Sequence, residues 1–224
     1  MGDKILYKMS YFNRIGELNE HATEAFQAFI KFDKDALKKG ALSVKQKETI
    51  AVAVAHITGC PYCIDIHVNQ FKDAGGTQEE MSEALFVATA MKAGSALAHG
   101  VNALNAFDAD EDVLYKQQYF DRLKEFSTLN KDAFLAFIDF DKQTMKPGAL
   151  TVKEKELIAV ASAHATGCPY CIELHTKAAK TADATIQEIS EAIMVATALK
   201  AGAALAHSVN ALNAYCSCED CSTC

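Results

Sequence analysis

Along nearly the whole chain the apolar positions recur at intervals of three and four, and nowhere do they alternate over the length of a strand. The positions between them are rich in Ala, Leu, Lys and Glu, which lose little freedom in a helix. The pattern predicts a helix over about 44–58 and a long one over about 78–106. Between them a break falls at Gly59. A further helix then starts with Cys60 as its cap and Pro61 as its first residue, where the missing N–H costs nothing. Start signals of the capping-box type stand at Ser43-x-x-Gln46, Thr77-x-x-Glu80, Thr151-x-x-Glu154 and Thr185-x-x-Glu188. The predicted fold class is all-α.

The same pattern comes twice. "YFNRIGELNEHATEAFQAFIKFDKDALKKGAL" from Tyr11 aligns without gaps to "YFDRLKEFSTLNKDAFLAFIDFDKQTMKPGAL" from Tyr119. Between Gly40 and His67, 21 of 28 positions equal those 108 residues further on, too many for chance similarity of two helical stretches. The chain therefore divides into one unit at 11–106, an acidic linker at 107–118, a second unit at 119–214, and a tail at 215–224. The fold expected is a tandem duplication of one helical bundle.

Charge and composition narrow the function. The formal net charge of −7 argues against a nucleic-acid or anionic-membrane partner. The first residues, "MGDKILYKMSYFNR", carry no apolar signal core. The most apolar segments hold Lys92, His99, Lys200 and His207, which a membrane span would bury at a cost. The expectation is a soluble cytoplasmic protein.

The eight cysteines lie in three places: "GCPYCIDIH" at 59–67, "GCPYCIELH" at 167–175, and the tail "CSCEDCSTC". Such clustering suits local thiol chemistry better than a scattered disulfide framework. Cys60 and Cys63 fall in the first turn of a helix, where free amides and the helix dipole stabilise a thiolate. His67 follows Cys63 by one turn on the same face. Glu48, on the preceding helix, is placed to orient His67 and raise its basicity. Glu156, Cys168, Cys171 and His175 repeat the set. A glutaredoxin-like reading of "CPYC" fails for want of strands and of a later proline. A zinc site made of two thiols, an imidazole and a carboxylate is a further alternative. His56 and His164, and His99 and His207, are repeated too, either supporting the site residues or lining a substrate pocket, or else as packing histidines.

The pattern Glu48-x₁₁-Cys60-x-x-Cys63-x-x-x-His67 resembles the active-site signature of the alkylhydroperoxidase D (AhpD)-like branch of the carboxymuconolactone decarboxylase family. The resemblance covers both units. A looser similarity links "CPYCI" after "KELIAVASAHATG" to peroxidase-like proteins associated with arsenosugar biosynthesis. The resemblance implies a small helical bundle assembling into trimers or hexamers, and hence a homotrimer of this two-unit chain. It implies that Cys63 and Cys171 attack, Cys60 and Cys168 resolve, and His67–Glu48 and His175–Glu156 relay protons. Tyr62 and Tyr170 stand where the best-studied AhpD pattern has a histidine; a phenol is a poor base near neutrality.

The function expected is thus a thiol-dependent hydroperoxide reductase or disulfide oxidoreductase, recycled by an external dithiol and requiring no cofactor. The alternative is a non-catalytic protein binding soft metals or arsenite. The tail bears on that choice. Cys216, Cys218, Cys221 and Cys224 are spaced to wrap a soft ion such as zinc, copper(I) or arsenite. They would serve equally as a tethered thiol arm that reduces the two pairs.

Overall fold

The computed structural model describes residues 5–108 and 112–215. The first unit comprises α1 (Met9–Phe12), α2 (Ile15–His21), α3 (Thr23–Leu37), α4 (Val44–Thr58), α5 (Pro61–Asp73) and the long α6 (Gln78–Asp108). The second begins with a 3-10 segment (Gln117–Glu125) and continues through α7 (Phe126–Leu129), α8 (Lys131–Thr144), α9 (Val152–Thr166), α10 (Pro169–Thr181) and α11 (Ile186–Tyr215). All regular structure among the described residues is helical, as the periodicity predicts.

The helix ends follow from their cap residues. Ser43 and Thr151 accept from the N–H of Gln46 and Glu154, whose side chains return the bond to the cap N–H. The same reciprocal bonds start α6 and α11 at Thr77/Glu80 and Thr185/Glu188. Gly59 and Gly167 end α4 and α9 at φ 71° and 74°. That left-handed turn, cheap only for glycine, folds α5 and α10 back onto the helices before them.

The centre of the molecule is the crossing of α4 and α9. The small space between them is lined by pairs 108 residues apart: Leu42 and Leu150, Gln46 and Glu154, Thr49 and Leu157, Ile50 and Ile158. A pseudo-twofold axis passes there. Ile50, Leu157, Ile158 and Leu199 are essentially fully buried, each contributing about 1.5–3 kcal/mol of burial.

Around this axis the two units exchange their long helices. α6 packs on α4 of its own unit, and also on α8, α9, α10 and the 3-10 segment of the other. α11 packs on α9, and also on α2, α3, α4 and α5. By length and composition α6 and α11 are each apolar enough to cross a membrane; here both are central struts of one shared core. Ion pairs lock the exchange. Glu191 of α11 accepts from the backbone N–H of Ala41 and Leu42 and pairs with Lys47, which is buried. Glu83 of α6 does the same for Ala149, Leu150 and Lys155. Gly40 and Gly148 leave room where these carboxylates approach: a Cβ there would lie 2.4 Å and 2.0 Å from them.

The units also start earlier than position 11. "ILYKMSYF" from Ile5 matches "VLYKQQYF" from Val113. Both arms lie across the partner unit's long helix. Asn210 donates to the carbonyl of Leu6, and Asn102 to that of Leu114. Arg14 bonds Asn213, and Arg122 bonds Asn105. The stretch read from sequence as a linker therefore includes the opening arm of the second unit.

Candidate active site

Cys60 and Cys168 cap α5 and α10, with nearly identical backbone angles (φ/ψ −84°/108° and −88°/108°). Their sulfurs accept from the backbone N–H of Cys63 and Cys171, at 3.2 and 3.3 Å. Cys60 and Cys63 are joined as a disulfide, whereas Cys168 and Cys171 are thiols.

One turn on, His67 directs its Nδ1 to Glu48 Oε2 at 2.9 Å, and His175 its Nδ1 to Glu156 Oε2 at 2.9 Å. Glu48 and Glu156 are buried. A carboxylate on Nδ1 fixes that nitrogen as the N–H and leaves Nε2 with a lone pair, free to take a proton. Sequence spacing and the helix break thus bring all eight predicted residues together, four in each unit.

The electrostatics separate the two thiols. Cys168 is held down to about 6, from 9.0. The S–H of Cys171 donating to its sulfur is the main cause. Burial opposes this, and the Cys171 amide, His99 and Ser95 add to it. Cys171 is pushed up, because it is the donor in that pair and is buried beside an anion. The sequence puts the acidic thiol at Cys171, whereas this hydrogen bonding favours the anion at Cys168. The helix-end argument applies to both first-turn sulfurs, but only the cap sulfur receives the hydrogen bonds. Access runs the other way: Cys60 and Cys168 are completely buried, while Cys63 and Cys171 retain 6% and 7% exposure.

Cys63 and His67 line a cavity of about 190 Å³, whose only other polar members are Asp33 and Gln70. Its walls come from Phe12, Phe26 and Phe29 on one side and from α11 on the other, where Ala198, Gly202 and Ala206 keep the wall thin. Each site is thus built by both units: α11 closes the first, and α6 brings Ser95 and His99 to the second. His99 and His207 are held there by Tyr115 and Tyr7, at 3.4 and 3.5 Å. At the position of Ser95 the first site has Ala203, which offers no hydroxyl.

Tyr62 packs on Tyr7 and Phe12, and Tyr170 on Tyr115 and Phe120. These rings cap the cysteine pairs with aromatic packing. His56 and His164 are not brought to the thiols. Each bonds through Nδ1 to a carbonyl one turn back, Val52 or Val160, and His56 lines a separate surface cavity with Lys92. Among the described residues no group of three or more His, Cys, Asp or Glu is arranged to hold a metal ion. Cys216, Cys218, Cys221 and Cys224 lie outside the described residues.

Two groups escaped the sequence reading. Asp33 and Asp141 are matched under the 108-residue shift, but on an amphipathic helix they read as ordinary surface charge. Tyr7 and Tyr115 sat in segments taken to lie outside the units.

Comparison with known proteins places this geometry. The model of the carboxymuconolactone decarboxylase family matches residues 23–106 and again 131–214. "Uncharacterized protein 4 in cox locus" of Paracoccus denitrificans is 42% identical over 94 residues, 42% of this chain and 85% of that protein. "Uncharacterized protein H16_B0147" of Cupriavidus necator is 34% identical over 98 residues, 44% of this chain and 84% of that one. Both are about as long as a single unit. A crystal structure from Burkholderia xenovorans, described as a gamma-carboxymuconolactone decarboxylase subunit, superposes with TM-score 0.62 over 88% of each chain, at 19% identity. That likeness is one of fold.

Proposed function

The chain belongs to the carboxymuconolactone decarboxylase family, and from that premise we propose that it is a dithiol oxidoreductase of the AhpD-like kind, reducing a hydroperoxide or disulfide at two composite sites. One observation carries the reading. A cavity-facing cysteine lies one turn from a histidine whose second nitrogen is held by a buried glutamate, with a hydrogen-bonded partner cysteine behind it.

The division of labour follows from acidity and access. At rest the pair shares one proton, held by Cys63 or Cys171 and donated to the cap sulfur. To react, His67 or His175 takes that proton on Nε2. The freed Cys63 thiolate attacks the outer peroxide oxygen: the S–O bond forms, the O–O bond breaks, and the electron pair leaves on the alkoxide. Cys63 is then a sulfenic acid. The Cys60 thiolate attacks it, forming the S–S bond and breaking S–O, and the hydroxide leaves as water with the proton that His67 had taken. An external dithiol next attacks the accessible Cys63 sulfur, and Cys60 leaves as thiolate. A low-pKa thiol departs fastest, which gives the acidity of Cys168, the matching cap sulfur of the second unit, its use. The electrons come from thiols throughout, so the chemistry needs no bound cofactor, and a reducing cytoplasm suits it.

Lactone decarboxylation, suggested by the name of the structural neighbour, suits the cavity poorly. Its lining carries Asp33 and His67 but no Lys or Arg to receive an anionic substrate. The cysteine tail is a separate matter. Soft-ion or arsenite binding and a tethered thiol arm are proposals for it. Truncation after Tyr215 tells them apart, by lost ion binding or by slowed reduction of the pairs.

The test is hydroperoxide consumption coupled to a small dithiol. Cys63→Ser with Cys171→Ser abolishes turnover. Cys60→Ser with Cys168→Ser stalls at a sulfenic acid that a carbon nucleophile traps. Turnover that survives the first double substitution refutes the reading.

A further inference from the structure

The pair gives up one proton, through His67, whereas the alkoxide and the hydroxide released in the two steps need one each; if His67 returns its proton to the hydroxide, the alkoxide, a poor leaving group, needs a second donor. Asp33 lines the same cavity as Cys63 and His67. Asp141 stands in the same relation to His175, Glu156 and Cys171 in the other unit. Both carboxyls are half-buried, and neither makes a hydrogen bond or ion pair among the described residues. On an aromatic-rich helix face, a carboxyl kept in both units without a structural partner calls for a chemical role. We propose that Asp33 and Asp141 are catalytic acids that protonate the leaving group.

This assignment rests on the dithiol reading and adds a residue to it. When Cys63 sulfur attacks, the O–O bond breaks toward the substrate's organic side. The departing oxygen takes the Asp33 proton and leaves as an alcohol. The sulfur is oxidised by two electrons, and the peroxide is reduced by two. Asp33 regains its proton from water before the next turn. Burial is the main influence raising both carboxyls; His67 or His175 opposes it and Glu48 or Glu156 adds to it. A carboxyl shifted in this direction keeps its proton to higher pH than a surface carboxyl does, which suits a donor. The titratable groups facing Asp33 are Cys63 and His67 from α5 and Glu48 from α4; the α2 and α11 walls supply only apolar side chains.

A general acid is needed only where the leaving group is a strong base, and the experiment uses that difference. Full-length Asp33→Asn/Asp141→Asn protein is assayed with cumene hydroperoxide, which releases an alkoxide, and with peroxybenzoic acid, which releases a stable carboxylate. Alkylation of Cys63 by iodoacetamide, which expels iodide, serves as the control for fold and thiol reactivity. The expected result is a loss of about 100-fold with the hydroperoxide, the low end for general acid catalysis. With the peroxyacid the loss is less than about threefold, and alkylation is unchanged, because neither leaving group needs a proton. Asp33→Glu/Asp141→Glu restores part of the hydroperoxide rate. Equal losses with both oxidants, or no loss with either, overturn the acid assignment and leave the dithiol reading standing. Wild-type protein inert to both oxidants overturns the hydroperoxide form of the dithiol reading, and this assignment with it.

Discussion

Replacing Cys171 by alanine removes the S–H that donates to the Cys168 sulfur while keeping the Cys171 backbone N–H, 3.3 Å from it. The cleanest background is the full chain with Cys60, Cys63 and the four tail cysteines changed to serine, so that Cys168 is the last thiol once Cys171 is gone. With Cys171 present, Cys168 is held down to about 6, which predicts about 90% thiolate at pH 7. The lost S–H bond is the largest of the favourable contributions, ahead of the amide, His99 and Ser95, while burial still disfavours the anion. The midpoint should rise by more than one unit, which is at least about 1.4 kcal/mol of lost anion stabilisation. Thiolate at pH 7 should then fall to about half or less. Far-ultraviolet thiolate absorbance followed against pH reads both midpoints directly. A parent midpoint near 9 would refute the claim that this cap makes an acidic thiol. A low parent midpoint unmoved by Cys171→Ala would refute the claim that the S–H carries the shift.

Three further outcomes follow. Ser95→Ala should raise the Cys168 midpoint by less than Cys171→Ala does, and Ala203→Ser should make the Cys60–Cys63 disulfide easier to reduce; equilibration with glutathione measures the second, and no change in either removes Ser95 as a source of inequality between the sites. Burial works against ionisation of Glu191, yet the Leu42 and Ala41 amides, Gln187 and Lys47 hold it at about 2, so its stabilisation is complete above the usual carboxylate range and is lost as pH falls through that range toward 2. Glu191→Ala leaves buried Lys47 without its carboxylate and should cost about 3 kcal/mol in denaturant melts at neutral pH, whereas a cost under about 0.5 kcal/mol would show that the ion pair does not lock the exchanged helix. Ile30 and Ile138, and Phe86 and Met194, are related pairs of exposed apolar residues, and covering them by assembly predicts a homotrimer, so light scattering that returns a monomer at micromolar concentration rules it out.

The helices and the composition of each site were legible in the sequence because their causes are local. Ser43, Thr77, Thr151 and Thr185 each meet a carboxamide or carboxylate three residues on, and a cap needs nothing else. Gly59 followed by Cys60-Pro61 states both the turn and the restart. The exchange of α6 and α11 was not legible. An Ala-rich helix that is apolar on several faces announces burial on several sides without saying against what. For the same reason His99 and His207 could not be assigned to the site of the opposite unit. The arms at Ile5 and Val113 were in the sequence, but the intervening Met9-Ser10 and Gln117-Gln118 share nothing and hid the match. Which sulfur is acidic depends on the direction of one hydrogen bond, and residue spacing does not encode it.

The most direct test of the account treats fully reduced protein with one equivalent of organic hydroperoxide per site and maps the products by mass spectrometry of its peptides. The account predicts that each equivalent is consumed with the loss of two hydrogens at one pair, yielding Cys60–Cys63 and Cys168–Cys171 disulfides that an added dithiol reverses. Hydroperoxide left unconsumed, or consumed with both pairs still reduced, would contradict it.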